Sequence, residues 1–208
     1  IVVEEAYKAG AGHVTLIWGD DEISRLEYDN CPVERFQELP AWKAEQMNSL
    51  ARGGAAFLWI DGEDPDALLG IDPAKPAARA VASHRQCADY RRGLDFGVNA
   101  WCIAGAPVLA WARKVFPDYS DAEAIYRLWV AILDTARVTG DDPESEWETH
   151  NATLKKNKRK LNDSHFDALR YTSSNGTNLV VGMTPHHLWE GGSSTTKAGV
   201  TYFPNMPT

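Results

Sequence analysis

Residues 55–107, "AAFLWIDGEDPDALLGIDPAKPAARAVASHRQCADYRRGLDFGVNAWCIAGAP", decide the fold. The run "AAFLWI" (55–60) is short, β-rich and continuously apolar, as a strand covered on both faces must be. "NAWCIAGAP" (99–107) repeats the pattern more weakly. Between them Asp72 can cap a helix and Pro73 suits its first turn, with Ala80, Val81, His84, Cys87 and Ala88 as the expected inward stripe. Two strands joined through a helix are parallel neighbours with a right-handed crossover.

The same alternation extends toward the N-terminus. "HVTLIW" (13–18) reads as an earlier strand. A helix follows at 40–54, with Pro40 at its entry, Trp42, Met47 and Leu50 on one side, and Gly53 with Gly54 as its stop. Beyond residue 107 the pattern changes to consecutive helices. In "SDAEAIYRLWVAILDTARV" (120–138), Ser120 and Glu123 make a capping box, and Ile125, Leu128, Trp129, Ile132, Leu133 and Ala136 recur at helical spacing. "DDPESEWETHNATLKKNKRKLND" (141–163) offers Asp142 as cap, Pro143 in the first turn, and Trp147, Leu154 and Leu161 as a narrow stripe. From about Phe166 the chain turns to β structure, "ALRYTSS" and "NLVVGM" flanking the turn "NGT". The expected class is α/β: an N-terminal parallel-sheet domain with flanking helices over 1–162, followed by the first β-strands of a second domain over 163–208.

Composition fits an ordinary globular protein, 44% apolar and 24% charged. The net charge of −8 disfavours a nucleic-acid partner, whose backbone calls for a basic surface. No apolar run reaches the roughly 18 residues of a membrane span, so no membrane partner is expected. The one basic run, Lys155, Lys156, Lys158, Arg159 and Lys160, reads as a solvated face late in a helix, where cations suit the dipole. Cys31, Cys87 and Cys102 are odd in number and lack CxxC spacing, which argues against disulfides and thiolate zinc and favours a cytoplasmic location. The sequons at Asn151, Asn162 and Asn175 read as chance. The first residues, "IVVEEAYKAG", form a helix-like segment stopped by Gly10 and Gly12, and the last, "YFPNMPT", are aromatic and proline-spaced. Both ends look cut, and an internal piece of a longer protein is expected.

The candidates for chemistry each have a plainer explanation. His186 and Glu190 in "PHHLWEGG" are four apart, the spacing of a metal-ligand pair on a helix, but Gly191 and Gly192 argue for a loop and no third ligand is near. Glu146 and His150 share that spacing as an ordinary surface pair. His84 on its apolar stripe reads as a hydrogen-bonded core residue. "GGSSTTKAG" (191–199) lacks the phosphate-loop order, and "AGAGH" (9–13) precedes its strand instead of following it. "GDDE" (19–22) and "GEDPD" (62–66) follow strands, where parallel sheets carry sites; they could hold a cation, or cap helices. Most of the eight tryptophans fall on apolar positions and read as core or subunit packing.

A resemblance goes further. "DPDALLGIDPAK" (64–75), "KVFP", "RLWVAILDTARV", "DP", "W..HNATL", "LNDSHFDALRY", "GTNLVVG", "LWEGG" and "PNMPT" succeed one another as in the aminopeptidase T and aminopeptidase S family of metallopeptidases, which the chain resembles over essentially its whole length. The resemblance implies a metal-dependent aminopeptidase that hydrolyses the N-terminal peptide bond of peptides with a free N-terminus, using two divalent ions (Zn, Co, or Mg/Mn), and acting as a homodimer. It implies that the second domain binds the metals and that the first metal-binding glutamate follows Thr208, with Pro204, Asn205 and Pro207 in the loop that presents it. No catalytic, cofactor-binding or metal-ligating residue is therefore expected within this chain, which would supply scaffold and dimer contacts and be inactive alone. The alternative is a non-catalytic small-ligand-binding or dimerisation module built on "GDDE" and "GEDPD".

Overall fold

A computed structural model describes residues 1–204. Its elements alternate as an α/β chain should. Helices α1 (Val2–Lys8), α2 (Asp21–Asn30) and α3 (Ala41–Arg52) precede strand β1 (Phe57–Asp61). Helices α4 (Ala74–Gln86) and α5 (Ala88–Asp95) lead to strand β2 (Trp101–Gly105). Then come α6 (Leu109–Val115), α7 (Asp121–Thr135) and the 22-residue α8 (Pro143–Ser164). The chain closes on two antiparallel hairpins, β3 (Ala168–Thr172) with β4 (Asn178–Gly182), and β5 (Ser194–Thr195) with β6 (Thr201–Tyr202).

The decisive stretch folds as its pattern predicts at the level of pairing: β1 and β2 are parallel, with Phe57 opposite Trp101 and Asp61 opposite Gly105. Phe57, Trp59 and Trp101 share one face and meet Tyr90 of α5, the Phe57 and Tyr90 rings lying edge to face at 5.0 Å. The crossover is two helices instead of one. At Cys87 the backbone leaves helical geometry (φ −95°, ψ 45°), and Asn48 of α3 inserts there. Its Nδ2 donates to the Gln86 carbonyl at 2.8 Å and its Oδ1 accepts from the Tyr90 N–H at 3.2 Å, satisfying the groups that the break frees. Asp72 caps as expected, accepting from the Ala74 N–H.

Three expectations need correction. Residues 13–18 form no strand: they pair with no other strand among the described residues, and Trp18 is 81% exposed. An apolar β-rich run says that a segment favours extended backbone, but a ladder needs a second edge. The stripe of α4 is also rotated. Of the expected set Cys87 is buried, but Ala80, Val81, His84 and Ala88 face solvent, so His84 is not a core histidine, and the inward residues within α4 are Ala82, Gln86 and the stem of Arg79. Arg79 lies 4.5 Å over the Tyr28 ring and 4.8 Å over Phe36 while pairing with Glu27, and Gln86 exchanges two hydrogen bonds with the Leu39 backbone. Polar side chains with specific partners outweigh apolar ones without them. Finally, Trp18, Trp42 and Trp129 are exposed, so of the core or subunit packing expected for the tryptophans these three take no part in the core.

The helical caps behave locally and hold. Ser120 Oγ accepts from the Glu123 N–H at 3.4 Å, and Asp142 Oδ1 accepts from the Ser145 N–H at 3.1 Å with Pro143 beginning α8. The buried centre beneath β2 is built from Ala112, Ala124 and Leu128, with Trp111, Phe116, Ile125 and Ile132 against them. Among the described residues no helix is long and apolar enough to cross a membrane.

Candidate functional site

Two places gather the residues that the sequence singles out. The first is a cleft of about 670 Å³ at the C-terminal ends of β1 and β2. Asp21, Ser24, Arg25 and Tyr28 of α2 form one wall, and Asp61, Glu63, Asp64, Arg79, Ile103 and Trp111 close it. "GDDE" and "GEDPD" thus meet at the edge of the sheet where parallel folds carry sites. Three of their carboxylates, those of Asp20, Asp21 and Asp64, accept from the backbone. Asp20 accepts from the Ile23 N–H at 3.0 Å as the cap of α2, Asp21 accepts from the Asp64 N–H at 3.1 Å, and Asp64 accepts from the Asp66 N–H at 2.9 Å. Asp66 in turn accepts two 2.7 Å bonds from Lys114.

The second is a strap along α8. Residues 189–193 and Phe203 lie against the face of α8 that carries Trp147, His150, Asn151, Leu154, Lys158, Leu161 and Asn162, all at least half-buried. Asn162 exchanges two bonds with the Trp189 backbone: its Nδ2 donates to the carbonyl at 3.1 Å and its Oδ1 accepts from the N–H at 2.8 Å. Eleven residues earlier, about three turns, Asn151 Oδ1 accepts from the Ser193 N–H at 2.8 Å and its Nδ2 donates to Ser193 Oγ at 3.2 Å. Lys158 pairs with Glu190 between them. At the N-terminal end of α8 the Trp147 ring meets Phe203 edge-on at 5.0 Å and donates from Nε1 to the Ala136 carbonyl at 3.0 Å. The tip of the β5–β6 hairpin reaches back to the α/β region, where the Lys197 N–H donates to the Gly97 carbonyl at 2.9 Å.

The strap disposes of the histidine candidates. His186 sits in a turn with φ 60°, so it and Glu190 share no helix face, and Glu190 is taken by Lys158. His187 Nδ1 is 2.9 Å from the Thr184 carbonyl. His150 does point inward, its ring 5.7 Å from Trp147 and its Nε2 buried without a hydrogen-bond partner. Burial, aided by the positive charge of Arg137, pushes its protonation below the usual histidine range. Unfolded chain takes up that proton below about pH 6.5, and the fold resists it, so the stability that a neutral His150 allows is whole above that pH and is lost as pH falls. The melting temperature is expected to drop more steeply from pH 7 to 5 in the parent than in His150→Gln; parallel curves would exclude this role.

Gly192 explains why the strap needs glycine in "LWEGG". Its φ is 80°, and a β-carbon there would stand 2.6 Å from Asn151 Oδ1, the atom that holds Ser193. Gly192→Ala therefore meets backbone strain and a clash together, and a loss of roughly 1–3 kcal/mol is expected in denaturant unfolding. An unchanged midpoint would show that the strap does not depend on this contact.

Asn151 and Asn162 are the residues that sequence reading missed, because each reads as a sequon. The usable signal was their spacing, which puts both on the stripe of Trp147, Leu154 and Leu161. The expected loop residues Asn205, Pro207 and Thr208 lie outside the described residues. Among the described residues no group of three or more histidine, cysteine or acidic side chains is arranged to hold a metal ion, so the ions implied by the resemblance do not fit the residues present.

With this geometry in hand, three similarities identify the chain's kind. The sequence pattern of the thermophilic metalloproteases M29 matches residues 1–208. Aminopeptidase AmpS of Bacillus subtilis and Aminopeptidase T of Thermus thermophilus are each 38% identical to it over 208 residues, covering all of this chain and 50% and 51% of theirs. The solved structure of wild-type AmpT from Thermus thermophilus superposes with a TM-score of 0.85, again over 100% of this chain and 50% of that one. The chain spans about half the length of the relatives it matches, and it belongs to the M29 family of thermophilic metalloproteases.

Proposed function

We propose that this chain is part of a metal-dependent aminopeptidase that removes the N-terminal residue of peptides, acting in the cytoplasm as a homodimer. The observation that carries the reading is the likeness to aminopeptidases over every residue of the chain, in sequence and in fold. Two divalent ions such as Zn, Co, Mg or Mn would supply the activated water for such a reaction. Their ligands are assigned to polypeptide beyond the described residues, and this chain's share is scaffold and contact surface. The boundary between an N-terminal α/β domain (1–162) and a catalytic domain begun at 163–208 belongs to the same proposal; the strap's bonds to α8 join the two across it.

Exposed surface supports a contact role. The chain exposes 14683 Å², whereas a self-contained protein of 23.0 kDa would expose about 9,600 Å². Tyr126, Trp129, Val130 and Leu133 form an exposed apolar stripe on α7, and all five residues of β4 are exposed. The test is a chelator-reversible assay on an N-terminally unblocked peptide, with its N-acetylated form as control, using a polypeptide of the relatives' length. Cleavage of the free peptide alone supports the reading, and cleavage of neither overturns it. The cleft between α2 and β1 supports a second reading, a small-ligand-binding module. In that case residues 1–208 alone would bind a ligand there, and Asp61→Ala would abolish the binding.

A further inference from the structure

We propose that Asn151 and Asn162 are positioning residues of the peptidase, acting as two fixed marks on α8 that set the register of the strap. The inference rests on the aminopeptidase reading above. Along the strap the contacts run Trp189, Glu190, Ser193, Phe203; along α8 their partners run Asn162, Lys158, Asn151, Trp147. The two segments are therefore antiparallel, and each contact steps toward the N-terminus of the helix. Asn162 makes both of its bonds to the strap's backbone, and Asn151 makes one to the Ser193 N–H and one to the Ser193 hydroxyl, so each fixes a main-chain position of the strap. A β-carbon at Gly192 would fill the space that the Asn151 contact needs. A slip at 189–193 would pass through the β5–β6 hairpin to Phe203, whose ring meets Trp147 of α8. The pattern serves placement more than stability: a merely packed strap would need apolar contacts, and here two half-buried amides on one face of the helix make three bonds to main-chain groups and a fourth to the Ser193 hydroxyl.

The two sites differ in chemistry, and that difference makes the test specific. Asn151 meets an N–H and a hydroxyl, and a hydroxyl can turn to donate, so Asn151→Asp keeps both bonds. Asn162 meets an N–H and a carbonyl, so Asn162→Asp places a carboxylate against the Trp189 oxygen and loses its donor. The experiment uses a polypeptide of the relatives' length and measures kcat, KM and amide hydrogen exchange over 189–203, with the exposed Lys156→Ala as control. Asn162→Asp and Asn151→Leu are expected to speed exchange across the strap at least about tenfold and to lower kcat up to roughly 100-fold with little change in KM. Asn151→Asp should match the parent. An active parent in which Asn162→Asp leaves kcat unchanged, or in which both Asp variants behave alike, overturns this inference alone. An inactive parent overturns the aminopeptidase reading and this inference with it.

Discussion

A purified polypeptide of residues 1–208 is expected to release no amino acid from peptides above background, with or without added Zn, Co, Mn or Mg. A polypeptide of the relatives' length, assayed beside it, is expected to be active and to lose that activity to a chelator. The difference is all or none, because the chemistry of such a site resides in its ions: a catalytic zinc takes three protein ligands, and a paired site takes more. Residues 1–204 offer no group of three candidate ligands, and the sequence of 205–208, Asn-Met-Pro-Thr, adds no carboxylate or imidazole. In the cleft, the carboxylates of Asp21 and Asp64 are already held by the Asp64 and Asp66 N–H groups. Enzymatic acceleration is typically at least about 10⁶-fold, so even a trace of assembled site would be visible. Metal-dependent turnover by residues 1–208 alone would refute this placement of the ligands, and isothermal titration showing two tight divalent ions on that polypeptide would refute it without an activity assay.

The largest stability effect is expected at Gly93, where replacement by alanine should lower the melting temperature by roughly 4–8 °C for a chain of this size. Gly93 lies within α5, where alanine would by helix propensity alone gain about 1 kcal/mol. Packing reverses the sign. A β-carbon would stand 2.1 Å from Asn99 Oδ1, and Asn99 is 2% exposed and cannot swing away. Its Nδ2 donates to the carbonyls of Ala51 at 3.1 Å and Ala55 at 2.8 Å, tying the end of α3 to the entry of β2. Moving it strands two buried carbonyls at about 1–3 kcal/mol each, and leaving it overpacks the site at a similar cost. A double-mutant cycle tests the mechanism. In an Asn99→Ala background the obstacle is gone, so Gly93→Ala should become neutral or stabilising, and additive effects would exclude the clash as the cause.

How much of this was legible depended on the range of each signal. Ser120, Asp142 with Pro143, and the Gly53–Gly54 stop act on their own helix ends within a few residues, so they could be read directly. The hairpin of β3 and β4 was equally local, its turn closing at Gly176. The break at Cys87 was not, because the side chain that makes it tolerable, Asn48, comes from another helix. Nor was the exposure of His84: hydrophobic spacing assigned α4 an inward face, and Arg79 stacked on Tyr28 and Phe36 turned a different one inward. In the candidate site, the histidines drew attention by type, whereas Asn151 and Asn162 matter only because a distant backbone passes them.

By itself, then, the order of residues determined the α/β class, the parallel pairing of the two strands in 55–107, the capped helices α7 and α8, and the resemblance to a family of aminopeptidases. Each is written in periodicity, caps or ordered motifs that need no knowledge of the rest of the chain. Tertiary structure alone decided that 13–18 pairs with no strand among the described residues, that α4 and α5 part at Cys87, and that two asparagines hold a strap against α8. Pairing, rotation of a helix about its axis and backbone recognition depend on partners that are dozens of residues away in sequence, and a local pattern carries no record of which partner arrives.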